Sequence, residues 1–169
     1  MAIYYDTGSS ATRIIGSKTA TNSTRTSMSY SYASAVLLWY PLAYSKLSST
    51  SEIYITAHII GHAKYCYPHY GTWINAAVSG NSYDKFVGQN YLVGDYHGGG
   101  CVNWFVNQVW SPSDLGNHTG SIEFRMYWKS ANNGQCRPFG IWNPNTSDDN
   151  RCMGQTGSTF TVTEREIDS

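Results

Sequence analysis

Residues 121–129, Ser-Ile-Glu-Phe-Arg-Met-Tyr-Trp-Lys, alternate apolar and polar side chains without a break. Side chains on a strand point to opposite faces with a period of two. Ile122, Phe124, Met126 and Trp128 therefore share one face, and Glu123, Arg125, Tyr127 and Lys129 the other. A strand with one wet and one buried face belongs to an antiparallel sheet that packs on a second layer. No segment of the chain carries a comparable helical period, so the alternation points to an all-β fold.

The rest of the chain repeats that pattern in shorter form. Residues 52–62 alternate, with Ile53, Ile55, Ala57 and Ile59 on one face and Tyr54, Thr56, His58 and His62 on the other; Ile60 breaks the rule. Further strands are expected over 33–46, 71–78, 83–93, 101–110, 135–142 and 158–166. Between them lie clusters such as Ser79-Gly80-Asn81 and Ala131-Asn132-Asn133-Gly134, which suit positive φ or side-chain-closed turns. Pro41 has no N–H for a ladder, so its strand is expected at an edge or a bend. Regular short strands with turn signals between them predict a sandwich or barrel. Residues 1–32 differ: Gly, Ser, Thr and Asn dominate, and Ile14-Ile15 is the main apolar anchor. Such a segment buries little surface, so an extended N-terminal docking arm (1–32) is expected ahead of a β-sandwich domain (33–169).

Composition narrows the functions. Charged residues make up 13% of the 169 residues and balance to zero, which removes the basic footprint of a general nucleic-acid binder. The longest apolar run, Ala35–Tyr40, is far shorter than a membrane helix, so no membrane insertion is expected. The N-terminus lacks the basic-then-apolar order of a secretion signal, and the chain is expected to be complete as written. Cys66, Cys101, Cys136 and Cys152 contain no Cys-x-x-Cys pair, which argues against a zinc ribbon or a thioredoxin-like site. Three pairings are open to them, including a Cys136–Cys152 staple, as is a set of free thiols.

No constellation points to catalysis. There is no Gly-x-Ser-x-Gly elbow and no phosphate-binding loop, and the carboxylates fall mostly on expected turns or wet strand faces. Glycoside hydrolysis needs two carboxyls across one cleft. His58 and His62 share a strand face about 13 Å apart, too far to chelate one ion within a chain. Copies of one histidine around a three-fold axis could meet, but ordinary surface or interface histidines explain them as well, and neither metal nor cofactor is expected. Tyr65, Tyr67, His69, Tyr70 and Trp73 crowd one stretch. Exposed, they would stack on sugar rings; otherwise they cap the sandwich or pack in an interface.

Three pieces carry a resemblance to a known family. They are Lys46–Ile55, a polar turn leading into an apolar strand; Ser111-Pro112 with its polar loop and the strand 121–129; and Gly157–Glu164, a terminal strand closing near a glutamate. From about residue 33 onward the chain resembles the small jelly rolls of the tumour-necrosis-factor or C1q-like type found on tailed-phage virions. They sit on fibres, spikes or capsid surfaces. Residues 1–32 and the cysteines stand outside that pattern. The resemblance implies an antiparallel jelly-roll-type β-sandwich in a non-enzymatic, homotrimeric protein of the virion surface. Other virion proteins would be bound through residues 1–32, and a host surface glycan is a further possible partner. Tyr54, His58 and Ile60 are the expected trimer contact, because a lone apolar residue on a polar face wants cover. Two rival readings are a carbohydrate-binding module working through residues 65–73 and a polysaccharide hydrolase.

Overall fold

The computed structural model describes residues 12–24, 26–27, 36–64, 69–91, 100–130, 137–142 and 157–167. Ten strands form within them: β1 (Thr12–Asn22), β2 (Thr26–Ser27), β3 (Val36–Lys46), β4 (Glu52–Lys64), β5 (His69–Val78), β6 (Asn81–Tyr91), β7 (Gly100–Trp110), β8 (Gly120–Ser130), β9 (Arg137–Trp142) and β10 (Ser158–Ile167). A single 3-10 turn, Ser113–Leu115, joins β7 to β8.

All pairings are antiparallel, and they build two sheets. The larger runs β1-β10-β4, with β7 on the far edge of β4. Its lanes are extended end to end: β4 pairs with β10 as far as His58–Thr159 and with β9 from Gly61–Trp142, and β9 then pairs with β2. The smaller sheet runs β3-β8-β5-β6. Long strands in the orders β1-β10-β4-β7 and β3-β8-β5-β6 make a jelly roll, in which most connections cross from one sheet to the other.

The core forms where the two alternations meet. Ile53, Ile55, Ala57 and Ile59 of β4 face inward with Val106 and Trp110 of β7 and Phe160 and Val162 of β10. Against them pack Leu42 and Tyr44 of β3, Ile74, Ala76 and Val78 of β5, and Ile122, Phe124 and Met126 of β8. Burying each Ile or Phe side chain contributes about 1.5–3 kcal/mol. Trp110 meets Phe124 edge-on across the sandwich, ring centres 6.2 Å apart. On β8, Ile122, Phe124 and Met126 are buried while Glu123, Arg125 and Tyr127 stay partly open, as the alternation requires. Leu115 plugs the β7–β8 end, held by a turn in which Asp114 accepts from the Ser111 amide (2.8 Å) and from Lys85 (2.7 Å).

Pro41 lies inside β3, which pairs only with β8 among the described residues, and the register slips between Trp39 and Leu42. The edge and the bend expected of that proline therefore coincide. Residues 12–22, expected within an arm outside the sandwich, form β1, the edge strand laid along β10. The segment has few apolar residues because an edge strand with most side chains facing solvent needs few; backbone pairing places it, not burial.

Candidate functional site

Among the described residues, the inner face of the larger sheet carries one carboxylate. Glu164 follows Phe160 and Val162 in the same alternation, so the geometry of β10 turns it inward, where it is fully buried. It is saturated there. Tyr44 Oη donates to Oε2 (2.9 Å), the Leu47 amide to both oxygens (3.0 and 2.9 Å), the Ser48 amide to Oε1 (2.9 Å), and the Ser51 hydroxyl to Oε1. Lys46, also buried, donates its Nζ to the Ser48 carbonyl. Burial, the largest single influence, pushes the Glu164 carboxyl up, but the donors together reverse this and hold it below the usual carboxylate value. Burial, and then the bond to Glu164, push the Tyr44 phenol well above its ordinary value. Burial pulls the Lys46 ammonium down, with Glu164 opposing. The carboxylate is thus a latch that fastens the β3–β4 turn to β10. The carboxylates are expected mostly on turns or wet strand faces, and Glu164 is an exception to that expectation. The signal was its even spacing from Phe160 and Val162.

The outer face of the same sheet has a different character. Register places three rows across β1, β10, β4 and β7: Ser17–Thr163–Tyr54–Val109, Thr19–Thr161–Thr56–Asn107 and Thr21–Thr159–His58–Phe105. Six of these twelve positions are threonine and none carries a formal charge with histidine neutral. Neighbours stand about 4.8 Å apart across strands and about 6.8 Å apart along them. The Thr19 and Thr161 hydroxyls share a hydrogen bond of 2.9 Å, and Ser17 Oγ donates to the Val162 carbonyl at 3.2 Å. At one end Phe105, 67% exposed, stacks flat on His58 with ring centres 4.4 Å apart; Val109, beside Tyr54 at the opposite end, is 40% exposed. At the other end the Arg165 guanidinium lies 3.8 Å from the centre of the Tyr54 ring, whose hydroxyl donates to Glu52 (3.0 Å). The three uncharged rows, bordered by Arg165 and Glu52 at the Tyr54 end and by the exposed Phe105 ring at the other, are cheaper to desolvate than an ionic surface and suit contact with another macromolecule.

Tyr54 and His58 stand on this face as the alternation of β4 required. Ile60 does not serve it: the residue is fully buried within the chain. It falls where β4 exchanges β10 for β9, and its amide, left between the two ladders, donates to the Ser158 hydroxyl (2.9 Å). The cover that a lone apolar residue wants is supplied by its own chain. Phe105, apolar beside Trp104 and so expected to want cover, and Val109 stand one strand over, and only register brings them beside His58 and Tyr54. Of the aromatic stretch, Tyr65 and Tyr67 lie outside the described residues, as do Cys66, Cys136 and Cys152. His69, Tyr70 and Trp73 are placed only by backbone, on β5.

No family model matches the sequence, and no curated protein matches it. Among solved structures, the chain is similar to VP2 of infectious bursal disease virus in a subviral particle, with a TM-score of 0.51 and 12% identity over 99% of this chain and 37% of that one. It is also similar to structures of the Gx strain of the virus (TM-score 0.49, 12% identity, 100% and 42% covered) and of the Gt strain (0.47, 14%, 99% and 46%). The chain spans about two-fifths of the length of the structures it matches. At this identity the likeness to VP2 is one of fold.

Proposed function

We propose that this protein is a non-catalytic structural component of a virus particle that associates with copies of itself. The observation that carries the reading is the jelly roll itself, since nearly all of this chain superposes on VP2 of a subviral particle. Three uncharged rows on the outer face support self-association: Tyr54, His58, Phe105 and Val109 form the contact, with the charges of Arg165 and Glu52 at its border. A structural role also accounts for Glu164. A hydrolytic carboxyl has to reach substrate, whereas this one is buried and occupied by four donor residues from its own chain.

The sequence resemblance refines the proposal to a homotrimer on the surface of a tailed-phage particle. The N-terminal segment would dock it to other virion proteins, and β1, an exposed edge strand, belongs to that segment. Native mass measurement at micromolar concentration tests the assembly: a trimer is expected, and a monomer would overturn it. Phe105→Asp should weaken association about a hundredfold or more while the sandwich stays folded. A variant that remains fully assembled would move the contact off this face. Release of reducing ends from a host polysaccharide would overturn the non-catalytic reading.

A further inference from the structure

The three rows on the outer face of the larger sheet contain one side chain whose charge follows ordinary changes of pH. Eleven of their twelve positions hold threonine, serine, tyrosine, asparagine, valine or phenylalanine. Alcohols, phenols, amides and hydrocarbons stay neutral between about pH 5 and 8, whereas an imidazole takes up a proton there. The twelfth position is His58, in the row Thr21–Thr159–His58–Phe105. The neutrality of the whole face is therefore conditional on that ring.

His58 is half-buried on β4, and Phe105 of β7 lies flat against it, with ring centres 4.4 Å apart and planes 5° from parallel. Swinging the imidazole out to water would give up that stack, so a proton taken up by the ring leaves its charge on the contact face. Along β4 the titratable groups on the same side are Tyr54 and Glu52, about 13 and 20 Å away. His62, beyond Ile60 on the same strand, is placed only by backbone. Neighbouring β10 presents Thr159 and Thr161, and its Arg165 stands level with the distant Glu52. From β7 come Phe105 and Asn107, and from β1, beyond β10, Thr21 and Thr19.

We propose that His58 is a pH switch for self-association: the neutral imidazole permits copies to meet through this face, and protonation separates them. The inference rests on the self-association proposed above. Closing a second copy over the face strips water from the ring, which disfavours its charged form. A closed assembly also repeats the residue once per copy, so protonated rings repel one another. Assembled chains therefore bind fewer protons than free ones. By linkage, association is strongest where the ring is already neutral and weakens as pH falls through roughly 7 to 5. The stabilisation from Glu164 is lost only at lower pH, so copies part while each sandwich stays folded.

Analytical ultracentrifugation of the full chain between about pH 7.5 and 5.5, with circular dichroism at each step, tests the switch. The concentration at half-assembly should rise about tenfold or more per pH unit once the imidazole titrates. The sandwich signal should stay unchanged, and a return to neutral pH should restore the assembly. His58→Gln should flatten the dependence, and His118→Gln, on the loop entering β8, should keep it. If His58→Gln does not assemble at neutral pH, His58→Phe, which keeps a ring to stack on Phe105, carries the same expectation. A native chain that is monomeric at neutral pH overturns the self-association reading and the switch together. Three results overturn the switch alone: assembly that holds or tightens on acidification, a slope that survives in His58→Gln, or one that vanishes in His62→Gln.

Discussion

On the outer face of the β3-β8-β5-β6 sheet, Arg125 is paired with Glu123, and Asn75 donates to Asp84 (2.7 Å) and Ser82 (2.5 Å). On the outer face of the larger sheet, three consecutive rows hold no charge, and hydroxyls, an amide and rings fill them. Both faces alternate with the same core, and both are built from strands of similar length. The difference lies in what covering them would require. Ionic groups must lose water before another surface can approach, and an exposed pair contributes little in return. Threonine hydroxyls tied to one another lose less, and Phe105 gains. The first face is finished as a solvent surface; the second is suited to a partner.

The contrast between faces can be pressed hardest within β8, where neighbouring residues sample both sides. Phe124→Ala should cost about 3–5 kcal/mol in chemical unfolding, and Arg125→Ala less than about 0.5 kcal/mol. Equal losses would mean that the face carrying Arg125 is also covered, and the comparison would fail. Next in size is the carboxylate on the inner side. Glu164→Gln should cost about 2–4 kcal/mol, because donors aimed at two charged oxygens would meet one neutral one and an amide, while Glu123→Gln on the solvent face should cost less than about 0.5 kcal/mol.

The same contrast appears in pH dependence. The folded Glu164 titrates below its unfolded value, so its stabilisation is present above the ordinary carboxylate pKa of about 4.3 and disappears as pH falls through the lower folded value. Unfolding midpoints should therefore drop on acidification in that window, with a shallower slope in Glu164→Gln. A parallel slope would show that other carboxylates carry the acid sensitivity. The smallest effect belongs to the hydroxyl rows. Thr161→Val removes the bond to Thr19 yet keeps a β-branched side chain on a half-open strand, so stability should change by less than about 0.5 kcal/mol. Thr56→Arg, which puts a charge at the centre of the face, should leave the fold intact and lower association. If Arg is tolerated there and Glu123→Gln is not, the roles of the two faces are reversed.

The alternation of 52–59 and 121–127 exposed most of the fold, because a period of two is a local property that sheet packing leaves unchanged. Turn chemistry marked Ser79-Gly80, and the missing N–H of Pro41 marked an edge. What local pattern could not supply was register. Thr19, Thr161, Thr56 and Asn107 are far apart in sequence, and only the ladders align them in one row. The burial of Glu164 was not legible for a related reason. Its donors lie more than a hundred residues upstream, and a carboxylate counts as a wet-face residue until its partners are known. Residues 12–22 looked like an arm because composition reports burial, and an edge strand held by backbone pairing has little of it.

The position of β10 has a consequence for how the molecule forms. It lies between β1 and β4, so neither of those strands has its neighbour on that side until residues 158–167 have been synthesised. The Arg13–Glu166 contact spans 153 residues. A chain leaving the ribosome can close the β5–β6 hairpin early and add β8 to it, but the larger sheet stays split until its end arrives. Folding should then be slow for a domain of this size, with β1 and β4 presenting open edges to other nascent chains in the interval. A protein proposed to meet its own copies once folded thus passes through a stage in which premature pairing between chains is the main hazard.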